Sequence, residues 1–383
     1  MISALSNKDL KHVYAGKRAF VTGHTGFKGS WLTLWLSRLG AEVFGYALPP
    51  PTVPSMFDVL QLSELCRHRE ADVRDLGMLR AALREARPDF VFHLAAQPLV
   101  RLSYETPLET IQTNILGTAN LLEAIRLEGL RCAVVVVTSD KCYENREWVF
   151  GYREEDALGG HDVYSMSKGA AELVVASYRR SFFPPARLAE HGVALATARA
   201  GNVIGGGDWS SDRLVPDILI ALSEGRPVPV RNPRAVRPWQ HVLEPLGGYL
   251  LLGARLFGGQ PEEVSAFCSA WNFGPRPEDA CPVSALVEKA IAAWGTGTWE
   301  DRGNPAAPHE AGLLRLSTDK ACALLDWAPR WGVDQAVGRT VEWWRAHYEG
   351  SRSLRDLTIA QIVAYMTVQP VAEVRNEVAP GTK

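Results

Sequence analysis

The chain has 383 residues, enough for one large domain or two modest ones, and its 46% hydrophobic fraction supports a sizeable core and excludes global disorder. A formal net charge of −2 leaves no electrostatic case for nucleic acid or an anionic membrane as a partner. The six cysteines are scattered and form no C-x-x-C pair, which argues against a disulfide framework and fits a reducing cytoplasm. The first 17 residues lack an apolar signal core. No uncharged apolar run approaches the roughly 18 residues of a membrane helix, so a soluble cytoplasmic protein is expected.

In chain order, "RAFVT" (Arg18–Thr22) reads as a short buried strand, and Trp31–Leu39 has helical apolar spacing. Strands follow at Glu42–Leu48 and at Phe90–Ala95, and "LPPPTVP" (Leu48–Pro54) reads as a loop. Thr110–Leu130 reads as one helix, with Ile111, Ile115, Leu122 and Ile125 on its apolar stripe. Ala133–Val137 is again a strand, Tyr164–Arg180 a helix and Val193–Arg199 a strand. Strands alternating with helices predict a doubly wound α/β fold, a parallel Rossmann-type sheet covered on both faces. Beyond about Asn202 the segments shorten and gain Gly, Pro and Trp, as in "GGGDW" and "RNPRAVRPWQ". That change marks a smaller mixed α/β region supplying a binding cleft. From residue 369 periodicity is lost and a mobile tail is expected.

Three motifs carry chemistry. In "TGHTGFKG", Gly23, Gly26 and Gly29 follow a strand and open a helix, so bare backbone and free helix N–H groups can meet a pyrophosphate. The spacing differs from G-x-G-x-x-G, and the end of the second strand offers neither the usual ribose-binding acid nor a cation for a 2′-phosphate. NAD against NADP therefore stays open on these residues, with the missing cation favouring NAD. Asp72 and Val73 are placed to meet an adenine end.

In "YSMSK", Tyr164 and Lys168 stand four apart on one helical face. A lysine cation beside a phenol, near a nicotinamide cation, is expected to lower the phenol pKa and make it a general base. In "AVVVVTSDKCYENREW" (Ala133–Trp148) a buried strand ends in Ser139, Asp140 and Lys141, a hydroxyl followed by an acid and a base. The nine histidines show no i,i+4 pair and no Cys/His cluster, so no metal site is expected.

Together with "DVRD" (Asp72–Asp75), "HLAAQ" (His93–Gln97) and Thr113-Asn114, these motifs resemble the extended short-chain dehydrogenase/reductase family. More narrowly, "GHTGFKGSWL", "SDKCYENREW", "RAGNVIGGGDW", "DRLVPD" and "RPWQHVLEPLGGYL" resemble the CDP-glucose 4,6-dehydratases, over about residues 16–344. The resemblance implies an NAD-binding domain over 1–202, with 238–272 returning to it, and a nucleotide-sugar-binding domain from 203–237 and 273–368. It implies a cofactor site of Gly23, Thr25, Gly26, Phe27, Lys28, Gly29, Asp72, Val73, Leu94, Ala95, Ala96, Asn114, Tyr164 and Lys168. It implies substrate contacts from Gln97, Asn202, Arg213, Leu214, Arg237 and His241. It further implies a homodimer or higher homo-oligomer and a role in dideoxysugar synthesis for lipopolysaccharide O-antigens.

The implied reaction converts CDP-D-glucose to CDP-4-dehydro-6-deoxy-D-glucose and water. Ser139 would hydrogen-bond the substrate oxygen that Tyr164 deprotonates. The elimination needs a further acid and base, for which Asp140 and Lys141 are the candidates. The related dTDP-glucose enzymes carry Asp-Glu there, so Lys141 stands in place of a carboxylate. To act as base it must be neutral; a charged Lys141 would instead stabilise an enolate, leaving Glu144 or water as base. A 4-epimerase or plain dehydrogenase keeps Ser139, Tyr164 and Lys168 but has no need of the acid–base neighbours. A non-catalytic nucleotide sensor can lose Tyr-x-x-x-Lys, which is intact here.

Overall fold

The structure is a computed structural model describing residues 7–303 and 313–368; the tail expected from residue 369 lies outside the described residues. A seven-stranded parallel sheet forms the centre. Its strands are β1 (Arg18–Thr22), β2 (Glu42–Ala47), β3 (Cys66–Glu70), β4 (Phe90–His93), β5 (Ala133–Val137), β6 (Ala194–Arg199) and β7 (Ala270–Asn272). They lie in the order β7-β6-β5-β4-β1-β2-β3, with every neighbouring pair parallel.

The apolar runs form strands because each side chain has a core to enter. Successive residues of a strand point to opposite faces. Ala19 and Val21 of β1, Phe90 and Phe92 of β4, and Ala133, Val135 and Val137 of β5 enter one core. Phe20, Val91, Val134 and Val136 enter the other. The helices Phe27–Arg38 and Leu243–Phe257 cover the first face, and Leu76–Ala86, Gly117–Leu127 and Val163–Ser181 cover the second.

Two elements differ from the sequence reading. β3 was not expected, because its sequence, CRHRE, is charged and largely exposed; it is an edge strand paired only with β2. The single helix expected over Thr110–Leu130 is broken. Pro107–Ile111 widens into one π turn at Gln112–Leu116 before Gly117–Leu127 resumes the α-helix. A π turn of this length is a local widening within an otherwise α-helical run, and a stripe of four apolar residues is too sparse to reveal it.

The chain returns to the sheet after residue 238, through the helix Leu243–Phe257 and then β7, which extends the sheet beyond β6. Short strand pairs join Val228–Val230 to Trp299–Asp301 and Val236–Pro238 to Ala280–Pro282. The helices Leu214–Ser223, Val283–Trp294, Val333–Glu349 and Leu354–Thr367 pack around them, and their core is continuous with the first face of the sheet. No helix among the described residues is long and apolar enough to cross a membrane.

Candidate active site

The strand order reverses between β1 and β4, and the crevice at the carboxyl ends of these strands is where doubly wound sheets bind ligands. The glycine turn leaves β1 there. Gly23 has φ +73°, and a Cβ on it would stand 2.6 Å from the Ala95 nitrogen. A Cβ on Gly29 would lie 2.1 Å from the Gly23 carbonyl oxygen. The turn therefore packs backbone against backbone, which only glycine permits. Gly26 precedes the first turn of Phe27–Arg38, and no side chain caps that helix end. Open N–H groups behind a bare turn fit a dinucleotide pyrophosphate.

Thr25 donates to the Leu48 carbonyl, and the Leu94 and Ala95 amides donate to Thr22 Oγ1, which fixes the turn against the loop after β4. Ala96 follows, partly buried. Asp72, just past β3, pairs with Arg74, and Val73 is buried beside it. Burial drives the Lys28 ammonium down to about 7; Arg213 and Lys168 push the same way, while Asp140 and Asp208 oppose it.

β5 ends at Val137, and Ser139 begins a single tight turn over Asp140–Cys142. The Ser139 hydroxyl donates to Asp140 Oδ1 at 2.9 Å and accepts from the Lys141 amide at 3.2 Å. Asp140 is buried and Lys141 partly so. Tyr164 and Lys168 lie on Val163–Ser181, whose first turn is capped by Asp162. Both are buried. The Lys168 ammonium is pushed down to about 8 by burial.

The Tyr164 phenol was expected to fall with both Lys168 and a nicotinamide cation beside it. It is instead pushed up to about 12 by burial, against the opposing pull of a Ser139 hydrogen bond and the Arg213 charge. In the protein alone, desolvation of the phenolate outweighs the cations around it.

Asn114 sits in the π turn and faces inward. Its amide donates to the Gln97 carbonyl and to Ser167 Oγ, and accepts from the Gln97 amide nitrogen. It ties the loop after β4 to the helix bearing Tyr164, the support of the active-site helix that the family resemblance implies for it beside a cofactor contact. Gln97 is also engaged internally: its side chain donates to the Leu99 carbonyl and Thr110 Oγ1 and accepts from the Leu99 amide. Neither end of that amide is turned to the crevice.

Arg213 reaches the crevice, pairs with Asp208 at 2.7 Å, and Leu214 beside it opens the helix Leu214–Ser223. Asn202 has φ +42°, and its carbonyl accepts from the Gln240 amide. Arg237 is partly buried on Val236–Pro238, opposite Cys281.

His241 does not reach the crevice. It is fully buried, with Trp31 and Trp331 edge-on to its ring. Burial lowers it to about 3, so it is a neutral core residue. Its motif "RPWQH" spans the ends of two short strands, Val236–Pro238 and Gln240–His241, and is buried from Pro238 onward, so the five residues alone do not tell which side chains meet the crevice.

Two residues that shape the site were not singled out in the sequence. Gly201 lies against the acid: a Cβ there would stand 1.8 Å from Asp140 Oδ2. Asp208 anchors Arg213. The available signal for Gly201 was its position, two residues after β6 where the chain enters the crevice.

The family model described as GDP-mannose 4,6 dehydratase matches residues 20–251. A CDP-glucose 4,6-dehydratase of Salmonella typhimurium is 53% identical over 345 residues, covering 90% of this chain and 95% of the relative. A dTDP-glucose 4,6-dehydratase of Streptomyces antibioticus is 28% identical, over 85% of this chain and 91% of its own. Among solved structures, DesIV, a dTDP-glucose 4,6-dehydratase of Streptomyces venezuelae with NAD bound, superposes with a TM-score of 0.73 at 22% identity, over 88% of this chain and 99% of that one. A UDP-glucose 4-epimerase of Thermotoga maritima superposes equally well, at 0.73 and 23% identity over 86% of this chain and 99% of that one, so the fold alone does not choose the reaction. The glycine turn, the Tyr164–Lys168 helix and the match over most of the sequence agree: the chain belongs to the GDP-mannose 4,6 dehydratase family, the nucleotide-sugar 4,6-dehydratases of the extended short-chain dehydrogenase/reductase fold.

Proposed function

We propose that this protein is an NAD-dependent CDP-glucose 4,6-dehydratase, a hydro-lyase. The observation that carries the reaction is the turn at the end of β5, where an acid and an amine follow directly on the hydroxyl partner of Tyr164. The choice of cytidine rests on the relative that is 53% identical over 90% of the chain.

The glycine turn and the open end of Phe27–Arg38 would hold the pyrophosphate of NAD, with Tyr164 and Lys168 at its nicotinamide end. Bound there, NAD would supply a reversible hydride acceptor for C4 and C6 of the glucose. Ser139 donates to the C4 oxygen, and Tyr164 Oη removes the C4 hydroxyl proton. The Lys168 charge and that of Arg213 favour the phenolate against its desolvation. A ketone at C4 acidifies the C5 hydrogen. Lys141 Nζ takes that proton, and Asp140 protonates the C6 hydroxyl, which departs as water. Lys141 then returns its proton to C5. Tyr164 then holds the proton that Asp140 has lost, and its transfer to Asp140 through the Ser139 hydroxyl, which bonds both, would return the residues to their starting states. Arg213, released from Asp208, supplies a guanidinium for the substrate diphosphate.

The product would feed the 3,6-dideoxyhexoses of lipopolysaccharide O-antigens. A cytoplasmic site of action suits a nucleotide-sugar substrate, and exposed apolar residues on the Val100–Glu105 and Val163–Ser181 helices favour a homodimer. The test is incubation of the protein with CDP-, dTDP-, UDP- and GDP-glucose. The expected result is loss of one water, read by mass, from CDP-glucose with no net change in nicotinamide. A change of configuration at C4 with no loss of mass would make it an epimerase instead. Stoichiometric reduction of added NAD would make it a dehydrogenase.

A further inference from the structure

Glu172 and Arg199 form a fully buried ion pair at 2.8 Å that no step above uses. Glu172 stands one helical turn beyond Lys168 and two beyond Tyr164, and Arg199 ends β6. A buried ion pair is not in itself a source of stability, because desolvation offsets the attraction. What distinguishes this one is what else it holds.

Glu172 Oε1 accepts from Thr138 Oγ1 at 2.5 Å, and Oε2 accepts from Thr197 Oγ1 at 2.8 Å. Arg199 donates to the Tyr143 hydroxyl at 2.7 Å, and its guanidinium lies over the Tyr143 ring, 4.9 Å from the centroid. The Tyr143 hydroxyl in turn donates to Asn272 Oδ1 on β7 at 2.8 Å. Thr138 immediately precedes Ser139, and Tyr143 immediately follows Cys142. Both ends of the turn carrying Ser139, Asp140 and Lys141 are therefore tied to one ion pair. That pair is anchored on the helix bearing Tyr164 and Lys168.

We infer that Glu172, Arg199, Thr138 and Tyr143 are positioning residues that hold the elimination groups in register with the oxidation groups. The two tethers are not equivalent. Thr138 holds the Ser139 end, which both half-reactions need. Tyr143 holds the far end, so its loss frees Asp140 and Lys141 while Ser139 stays against Tyr164. Misplacement of reacting groups by about 1 Å costs up to about a hundredfold in rate. Glu172 also favours the charged form of Lys168, so the same pair supports the ammonium beside Tyr164.

The inference rests on the dehydratase reading, and two measurements separate them. The first needs no substrate. Tyr143→Phe leaves the ion pair and the Thr138 tether in place, so the chain still folds. Amide hydrogen exchange at Asp140, Lys141 and Cys142 should then rise about tenfold or more, with Val163–Ser181 unchanged. Unchanged exchange in the turn overturns the inference, whatever the reaction.

The second measurement is rapid mixing of the NAD-loaded protein with CDP-glucose. In Tyr143→Phe, reduced nicotinamide should form at the parent rate and persist, while kcat falls about ten- to a hundredfold and KM moves by less than about twofold. Thr138→Val should slow both half-reactions, and Thr138→Ser, which keeps the hydroxyl, should restore them. Parent-like turnover of Tyr143→Phe, or equal loss of oxidation and elimination, overturns the inference. A parent protein that forms no 4-keto product overturns the dehydratase reading alone, and the exchange result still decides the tethers.

Discussion

Asp140 is confined from two sides, by the Ser139 hydroxyl at one oxygen and the bare Gly201 backbone at the other. Gly201→Ala places a methyl group in the space of Oδ2. A Cβ there would also lie 2.1 Å from Cγ and 2.6 Å from Oδ1, so the buried side chain must swing as a whole: the melting temperature should fall, and the acid is displaced. Product formation should fall about a hundredfold, with NAD affinity kept; a parent-like rate would show that Asp140 needs no fixed position. Lys141→Ala tests the other partner: NAD binding is expected to persist, with dehydration lost by about a hundredfold or more. If it made product at the parent rate, Lys141 would be neither base nor enolate stabiliser.

The legibility of these residues follows from how local their signals are. Ser139, Asp140, Lys141, Tyr164 and Lys168 announce themselves because a strand end and an i,i+4 spacing are short-range patterns. Gln97 and His241 do not, because whether a polar side chain faces the crevice or the core depends on packing partners far away, Thr110 for one and Trp331 for the other.

At the scale of elements, short continuous apolar runs made β1, β4, β5 and β6 legible, and charge concealed β3. An edge strand has one neighbour and tolerates Arg67, His68, Arg69 and Glu70. The π turn was equally hidden, although it is what turns Asn114 toward Ser167. The helix Leu243–Phe257 carries another long-range device. Glu244, fully buried in its first turn, accepts from the Arg330 and Trp331 amides and from the Tyr365 hydroxyl. Those donors favour the carboxylate, yet burial outweighs them and raises the group to about 7.

A folded value above the unfolded one means that the native state binds the extra proton between about pH 4.5 and 7. Stability from this group is full below that window and falls as pH rises through it, by about 3 kcal/mol in total. Glu244→Gln removes the titration. Urea unfolding of parent and variant at several pH values should show the parent losing stability relative to the variant from pH 5 to 8. A constant difference would mean that Glu244 is ionised throughout.

For the molecule as a whole, two separate cores on the faces of one sheet follow from central strands whose successive middle residues are apolar, as in AFV of β1 and VVV of β5. The sequence shows that much. The return of the chain after residue 238 was expected only through the family resemblance, and the strand it adds at the β6 edge, AWN, is too short to read as one. Nor does a single chain's pattern say what its outer helices meet. The helices Val100–Glu105, Pro107–Ile111 and Val163–Ser181 pack side by side, and they expose Tyr104 (57%), Leu108 (72%) and Leu173 (60%), with Leu116 (49%) in the adjoining π turn.

Large apolar side chains gathered on neighbouring elements mark an association surface, and a second copy of the chain offers the same helices by two-fold symmetry. Sedimentation of the parent should therefore give twice the mass of one chain. Leu108→Asp with Leu173→Asp should weaken the dimer by at least about a hundredfold, because each charge would be desolvated in the interface. All the site residues come from one chain, so the monomeric variant should keep parent-like turnover. A parent that sediments as a monomer, or a double variant that remains dimeric, would place the association surface elsewhere.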